Sequence, residues 1–408
     1  MRYFKNIELS KKYHISLGTV RNWIEAAKQD KLGLELFFVD DKCYVANTPG
    51  NTAIIEELVE EGKKYRNSKV AKTVTPKTEF YNLYNQAQIY DIVRNLEIHH
   101  EIPRQYNYFD GGAGNWDEHA QRLAAEDEPN LLNRTIELLD ENRRYIDKRL
   151  EKFNRINVID IGPGNALPVK ALLAHLLESG KLGRYIALDI SEEMLHIAER
   201  NIKEWFDNKV VFEGYVLDIN YERFANHVAE DYLHYGGHDT MNLVLFLGGT
   251  PDNFREPNDT FSTIRHSMNR NDLLIYTTKL ETEEMRPEWF NFNPEQNSAV
   301  LAPNHRFIFD LLNIDESFYD VEMGFDSLLG QRYVRVRLKV ALTIKFAFDV
   351  GEYLLEMDKG ETILLWRVWK LTARDVELQH ERNDLNILHS SKSDDNQYVL
   401  MMSRVKVE

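Results

Sequence analysis

Residues 157–189 read NVIDIGPGNALPVKALLAHLLESGKLGRYIALD, and this stretch decides the fold. A β-branched run (Val158, Ile159, Ile161) ends in Asp160-Ile161-Gly162-Pro163-Gly164. Leu172, Leu173, Leu176 and Leu177 then recur at helical spacing, and a second apolar run over residues 185–188 ends in Asp189. Strand, glycine turn, helix, strand and acid make one βαβ unit. Glycines let the backbone approach a ligand closely, and an acid ending the next strand is placed to accept from two ribose hydroxyls. A dinucleotide site prefers a third glycine near the helix start, where a pyrophosphate sits. Leu167 stands there instead. S-adenosylmethionine carries no phosphate, and it matches Asp160, Gly162, Gly164 and Asp189 better. A crossover that binds nothing is the third reading.

Downstream, the alternation continues. Ser191 caps a helix whose first turn carries Glu192 and Glu193, which complement the helix dipole. A strand over 210–216 leads to Asp218, placed to accept from an adenine amino group or to be a solvated loop acid. A buried strand over 240–247 opens into Gly248-Gly249-Thr250-Pro251-Asp252-Asn253-Phe254. A helix over 259–268 and a strand over 273–277 follow. Such alternation predicts a parallel sheet with ligands at the carboxyl ends of its strands. Asp160, Gly162, Asp189, Asp218 and Gly248 all fall at such ends. From residue 281 the pattern changes: 318–325, 331–348, 361–369 and 398–405 read as strands, and 375–395 as helix plus loop.

Upstream of the βαβ unit, residues 5–30 predict two short helices joined at His14-Ile15-Ser16, with Val20, Trp23 and Ile24 turned inward. A hairpin around Asp40-Asp41 and a charged helix over 51–66 follow. The unit resembles a winged helix-turn-helix, and Thr19, Arg21, Asn22 and Lys28 would face DNA. Residues 1–70 hold twelve basic and ten acidic side chains, against a net charge of −16 for the chain. The N-terminal unit is therefore the one candidate nucleic-acid face, although a strong phosphate binder is usually more basic. Its other reading is a docking or dimerisation module. Residues 68–77 read as a linker, 80–96 as a helix, and 130–150 as one amphipathic helix. The segment PRQYNYFDGGAGNWDEHA, residues 103–120, reads as an ordered loop, against a ligand pocket or simply held by Trp116.

Bulk properties bound the rest. The 408 residues, 43% of them hydrophobic, suffice for more than one domain. The single cysteine, Cys43, allows no intramolecular disulfide, which suits a reducing compartment. No run approaches the roughly 20 apolar residues that span a bilayer, and no apolar segment follows the first charges as a signal peptide requires. A cytoplasmic protein is expected. No spacing of metal ligands is evident, and His99-His100 reads as a surface pair.

Together, DIGPG, ALD followed by Ser191, and FLGGTPDNF resemble the EgtD-like family, the histidine-specific methyltransferases of ergothioneine biosynthesis, over roughly residues 100–405. The resemblance implies a Rossmann-like class I methyltransferase domain with a β-rich substrate subdomain, S-adenosyl-L-methionine as cofactor, and methylation of an amino acid's α-amine. It gives Gly162 and Gly164 to the cofactor turn and Asp189 to the ribose. Gly248 and Asn253 go to the substrate's amino-acid end, and Tyr106 or Tyr108 matches a substrate-side tyrosine. Asp252 or one of those tyrosines would help take the amine proton. One departure is informative. Histidine-binding members carry Glu-x-Ser where GETILLWRVWK places Trp366 and Val368. Tryptophan only donates and valine does neither, and a site missing its partners loses orders of magnitude. The departure argues against histidine itself, and an apolar or aromatic acceptor suits Trp366. The expected layout is a winged helix-turn-helix over 1–70, a linker helix over 71–100, the methyltransferase domain over 101–280 and a β-rich lid over 281–408. The alternative is a DNA-binding regulator that senses S-adenosylmethionine or a small ligand.

Overall fold

A computed structural model describes residues 3–39, 42–68, 71–108, 112–126, 129–229, 239–282, 301, 303–326 and 329–407, without the side chains of residues 61, 63–68, 107–108 and 303–304. Two compact units emerge. One comprises residues 1–102, 309–321 and 336–363, and the other residues 103–308, 322–335 and 364–408.

The first unit opens with β1 (Tyr3–Phe4), α1 (Asn6–Tyr13) and α2 (Leu17–Lys28), then β2 (Leu36–Val39), β3 (Lys42–Ala46) and α3 (Pro49–Ser68). The strands form a small sheet in the order β1-β3-β2. Leu9, Val20, Ile24, Val45 and Ile55 close one apolar core beneath them. Next come β4 (Lys72–Val74), α4 (Thr78–Leu83) and α5 (Gln86–His99). The stretch read as a linker thus contains a strand, and the helix read over 80–96 is two. The break falls at Asn85, which caps α5 reciprocally with Gln88.

The second unit begins with the 3-10 turn Arg104–Tyr108, α6 (Gly112–Ala125), α7 (Leu131–Glu141) and α8 (Arg143–Leu150). The segment read as a loop is therefore largely helical. The helix read over 130–150 divides at buried Asn142, whose Nδ2 donates to the Leu138 carbonyl at 2.8 Å. Then follow β5 (Arg155–Ile161), α9 (Lys170–Glu178), β6 (Leu182–Asp189), α10 (Glu192–Phe206), β7 (Phe212–Val216), β8 (Thr240–Phe246), α11 (Pro257–Ser267), β9 (Leu273–Lys279) and α12 (Pro303–Leu311). The chain continues through β10 (Tyr319–Asp326), β11 (Gln331–Leu338), β12 (Leu342–Phe348), β13 (Gly351–Met357), β14 (Thr362–Trp369), α13 (Ala373–Arg382), β15 (Leu385–Lys392) and β16 (Tyr398–Val405). In the first unit β12 pairs antiparallel with β13 and parallel with β4. A further sheet runs β10-β11-β14.

The main sheet has seven strands in the order β15-β16-β9-β8-β5-β6-β7. From β9 to β7 every pairing is parallel. β16 pairs antiparallel with β9, and β15 with β16. The end of the chain thus completes this sheet, and the second half of the stretch read as helix plus loop is its edge strand. Strand order reverses beside β5, so the crevice at its carboxyl end is the topological switch point. One apolar layer, with Leu172, Leu173, Ile202 and Leu400, packs on one face; the other face buries Phe224, Phe261, Ile264 and Val376. Burial on both faces explains the near-continuous apolar run of β5 and β8.

Candidate functional site

β5 ends at Ile161, and the next residues turn sharply. Gly162 has φ +65° and Gly164 φ +57°, both in the left-handed region. A Cβ on Gly162 would lie 2.6 Å from Thr250 Cγ2, and one on Gly164 2.7 Å from the Trp116 ring. The turn is braced from behind. Asn165, 2% exposed, donates from Nδ2 to Asp117 Oδ1 at 2.9 Å, and its Oδ1 accepts from Leu167 N at 3.1 Å. Asn201 Nδ2 donates to the Asn165 carbonyl at 3.1 Å, and Arg200 pairs with Asp117 at 3.2 Å. Trp116 itself packs on Ala113, Met194 and Ile197.

Asp160 is 3% exposed. Its Oδ2 accepts from the Tyr185 hydroxyl at 2.8 Å. Burial pushes the Asp160 carboxyl up to about 7, against the Tyr185 hydrogen bond and with the help of the Asp189 charge. Asp189, at the end of β6, uses Oδ1 to accept from Ser191 N at 2.9 Å. Burial raises it to about 6, offset in part by the backbone N–H groups of Ser191 and Ile190. Asp218 is half-buried beyond β7, and its Oδ1 accepts from Asn220 N at 3.0 Å and Asn220 Nδ2 at 2.9 Å.

β8 delivers the fourth corner. Gly248 has φ +64°, and its N–H donates to Thr277 Oγ1 at 2.8 Å. Pro251–Asn253 makes a 3-10 turn. Asn253 Nδ2 donates to the Gly249 carbonyl at 2.7 Å, and its Oδ1 accepts from Arg104 Nη1. Asp252, 3% exposed, accepts from Thr278 Oγ1 at 2.6 Å. Burial pushes its carboxyl up, while Thr278 and the Lys370 charge pull it back. Burial likewise pushes the Lys370 ammonium down, against the attraction of Asp252. Trp369 Nε1 donates to the Phe254 carbonyl at 2.7 Å, so β14 is tied to this turn through Trp369.

The expected residues are therefore distributed as follows. Gly162, Gly164, Asp189 and Gly248 stand at the carboxyl ends of adjacent parallel strands, with Asn253 in the turn after β8. Tyr106 is 4% exposed and has a partner of its own. The Tyr108 side chain lies outside the described residues. Trp366 is half-buried in β14, two residues before Val368 and four before Lys370. Sequence reading passed over Arg104, Asp117, Asn165, Thr250 and Lys370. Arg104 and Asp117 lie in the segment 103–120 singled out for its aromatics and glycines, and Asn165, Thr250 and Lys370 lie within the other motifs quoted above, but the motifs gave these five no site role.

Of the residues expected to face DNA, Arg21, Asn22 and Lys28 are exposed and Thr19 is half-buried. Lys28 pairs with Glu25 at 2.6 Å. Arg21 and Lys28, with Lys5 and Lys42, line a cleft of about 530 Å³. The N-terminal end of α2 is engaged: Ser16 Oγ donates to Glu361 Oε1 at 2.5 Å and accepts from Thr19 N at 3.0 Å. Among the described residues no group of His, Cys, Asp and Glu could hold a metal, and no helix is long and apolar enough to cross a membrane.

The positive-φ glycines leave room for backbone approach at the switch point, and the half-buried carboxylate of Asp189 stands one strand away. That arrangement fits a nucleoside without phosphate. Among solved structures, an S-adenosylmethionine-dependent methyltransferase from Clostridium acetobutylicum ATCC 824 aligns at TM-score 0.40 and 12% identity, over 72% of this chain and 99% of its own. Magnesium protoporphyrin IX methyltransferase from Synechocystis PCC 6803 aligns at 0.39 and 12%, over 74% and 98%. No curated protein matches the chain. The family model for histidine-specific, S-adenosylmethionine-dependent methyltransferases matches residues 89–405, and the chain belongs to that family.

Proposed function

We propose that the protein N-methylates the amine of an amino acid or related small molecule other than histidine. The observation that carries this reading is the convergence of Gly162, Gly164, Asp189 and the Arg104-bound amide of Asn253 around one switch point. S-adenosylmethionine, when bound, supplies an electrophilic methyl group. The chain's own residues align and exclude. Gly162 and Gly164 bring bare backbone to the cofactor, and Asp189 accepts from its ribose hydroxyls. Gly248 and Asn253 hold the acceptor at the next strand end. An amine attacks only when uncharged, so alignment of a neutral nitrogen is the main catalytic task. Trp366 and Val368 in place of hydrogen-bonding side chains support an apolar or aromatic acceptor. The test is incubation with S-adenosylmethionine and a pool of amino acids and biogenic amines, following S-adenosylhomocysteine and product mass. Product that disappears in Asn253→Ala supports the reading; cofactor binding with no product across the pool sinks it.

A second reading concerns residues 3–68, which we take as a winged helix-turn-helix used as a docking module. In a DNA reader the N-terminal residues of the second helix meet base edges. Here that end is capped through Ser16 and Glu361, which is 8% exposed. A Cβ on Gly18 would stand 3.6 Å from Glu361 Oε1. A carboxylate there favours the helix dipole and repels phosphate. A salt-dependent gel shift on duplex DNA would overturn this reading in favour of a regulator.

A further inference from the structure

We infer that the cleft formed by α1, α2 and β3 in the first unit is a binding site for a small organic phosphate, a monoester of the nucleoside monophosphate or sugar phosphate kind. The inference concerns residues 5–44 alone and is independent of the methyl-transfer reading.

Three elements build the cleft, whose volume is about 530 Å³. Arg21, Ile24, Glu25 and Lys28 recur at helical spacing, so they share one face of α2. β3 contributes Lys42, Cys43 and Tyr44, and the start of α1 contributes Lys5 and Asn6. β1 pairs with β3 at Val45 and Ala46, so among the described residues no strand covers that edge of Lys42–Tyr44. Glu25 is the one acid among the lining residues, and it is committed to Lys28 at 2.6 Å. Lys5, Arg21 and Lys42 have no acidic partner among the described residues. Asn6 Oδ1 has no hydrogen-bond partner there either, so its amide is uncommitted.

Charge decides what such a cleft takes. Four cations against one acid set it at +3 (4 − 1), whereas residues 1–70 as a whole stand at +2 (12 − 10). The positive charge of the segment is therefore gathered in the cleft. A nucleic-acid polymer is held by cations spread along its backbone; cations gathered round one cavity suit one compact anion. A guanidinium fork takes two phosphate oxygens, and ammonium groups add point charges. A phosphate dianion answers the excess charge better than a single carboxylate does. Inorganic phosphate alone would fill only part of a cleft that has the size of small-molecule sites. Ile24 and Tyr44 give an organic body something to pack against.

Cys43 is the single cysteine of the chain and lines this cleft, so a thiol reagent reports on the cleft alone. The experiment follows the rate at which iodoacetamide alkylates Cys43 in the full chain, saturated with S-adenosylhomocysteine to keep nucleotides out of the cofactor site. The probes are nucleoside 5′-monophosphates, sugar phosphates, the parent nucleosides and sugars, inorganic phosphate and a short DNA duplex. At least one organic phosphate should slow alkylation, and it should bind about tenfold or more tightly than its parent or inorganic phosphate, the range of a hydrogen bond to a charged group. Its affinity should fall with added salt. Arg21 and Lys42 are exposed, and Arg21→Gln and Lys42→Gln should each weaken it about tenfold, with Arg21→Lys losing less. Affinity for S-adenosylhomocysteine should hold within about twofold in each variant as proof of fold. Protection is compared as the ratio of rates with and without probe, because each substitution also changes the field at Cys43. No protection by any organic phosphate overturns the inference. So does equal binding of the parent compound or of inorganic phosphate, and so does protection that survives both substitutions unchanged. Protection by the duplex alone also overturns it and makes the cleft a nucleic-acid face.

Discussion

Adding one methyl group to Gly162 tests the cofactor turn quantitatively. At φ +65° an alanine pays the left-handed penalty of about 1 kcal/mol. Its Cβ would also stand 2.6 Å from Thr250 Cγ2 and 2.8 Å from Thr250 Oγ1. Threonine is stiff at χ1, and Thr250 Oγ1 donates to the Gly162 carbonyl at 3.3 Å, so relief requires movement of the turn that carries Asn253. Overpacking of this kind costs about 1–3 kcal/mol. Gly180 is the matched control, because its φ is +69° and nothing lies within 4 Å of its would-be Cβ. Gly180→Ala should therefore lose about 1 kcal/mol and Gly162→Ala about 2–4 kcal/mol. Urea unfolding reads both values, and calorimetry reads S-adenosylmethionine affinity. Affinity should fall about tenfold or more in Gly162→Ala, that is by about 1.4 kcal/mol, and hold in Gly180→Ala. Equal stability losses with equal cofactor affinity would refute the reasoning.

Other expectations follow from the same site. Asp189 titrates near 6, and its carboxylate is the better acceptor for ribose hydroxyls. Cofactor affinity should fall as pH drops through about 6, and Asp189→Asn should flatten that profile; an unchanged profile would remove Asp189 from the ribose site. Asp160 has a folded-state value of about 7, above its ordinary 3.8. The raised value means that its contribution to stability is present below about 4 and is lost as pH rises through 7. Asp160→Asn, which still accepts from Tyr185, should thus unfold at higher urea than wild type at pH 8, with the gap closing at pH 5. Removing the α2 cap by Ser16→Ala should cost about 1 kcal/mol, read by thermal unfolding of the full chain, with cofactor affinity unchanged.

Local chemistry made the central βαβ unit legible. Gly162, Gly164 and Asp189 occupy short-range positions that a turn and a strand end dictate, and the structure puts them there. Long-range pairings left no such trace. β4 is three residues long and finds its partner, β12, some 270 positions away, so its polar sequence resembles a linker. β15 is an edge strand with half its side chains partly exposed, and LNILHSSK lacks the apolar run that marked β5. The glycines at 111, 112 and 114 are poor helix formers, yet α6 begins at Gly112 because Ala113, Asp117 and Ala120 are buried on one face. Arg104 stands in a marked segment, but its role left no trace for the same reason as β4: its partner Asn253 lies 149 residues on. The departure at Trp366 and Val368 was visible only against the family pattern.

The central proposal is methyl transfer to the amine of an amino acid or related small molecule at the end of β8. The most direct measurement is mass spectrometry of an amino-acid and amine pool incubated with S-adenosylmethionine and the full chain, run beside Asn253→Ala. The expected result is an N-methylated amino acid or amine other than histidine, formed with stoichiometric S-adenosylhomocysteine and absent with the variant. Methylation of histidine alone, or no methylated small molecule while the cofactor binds, would contradict it.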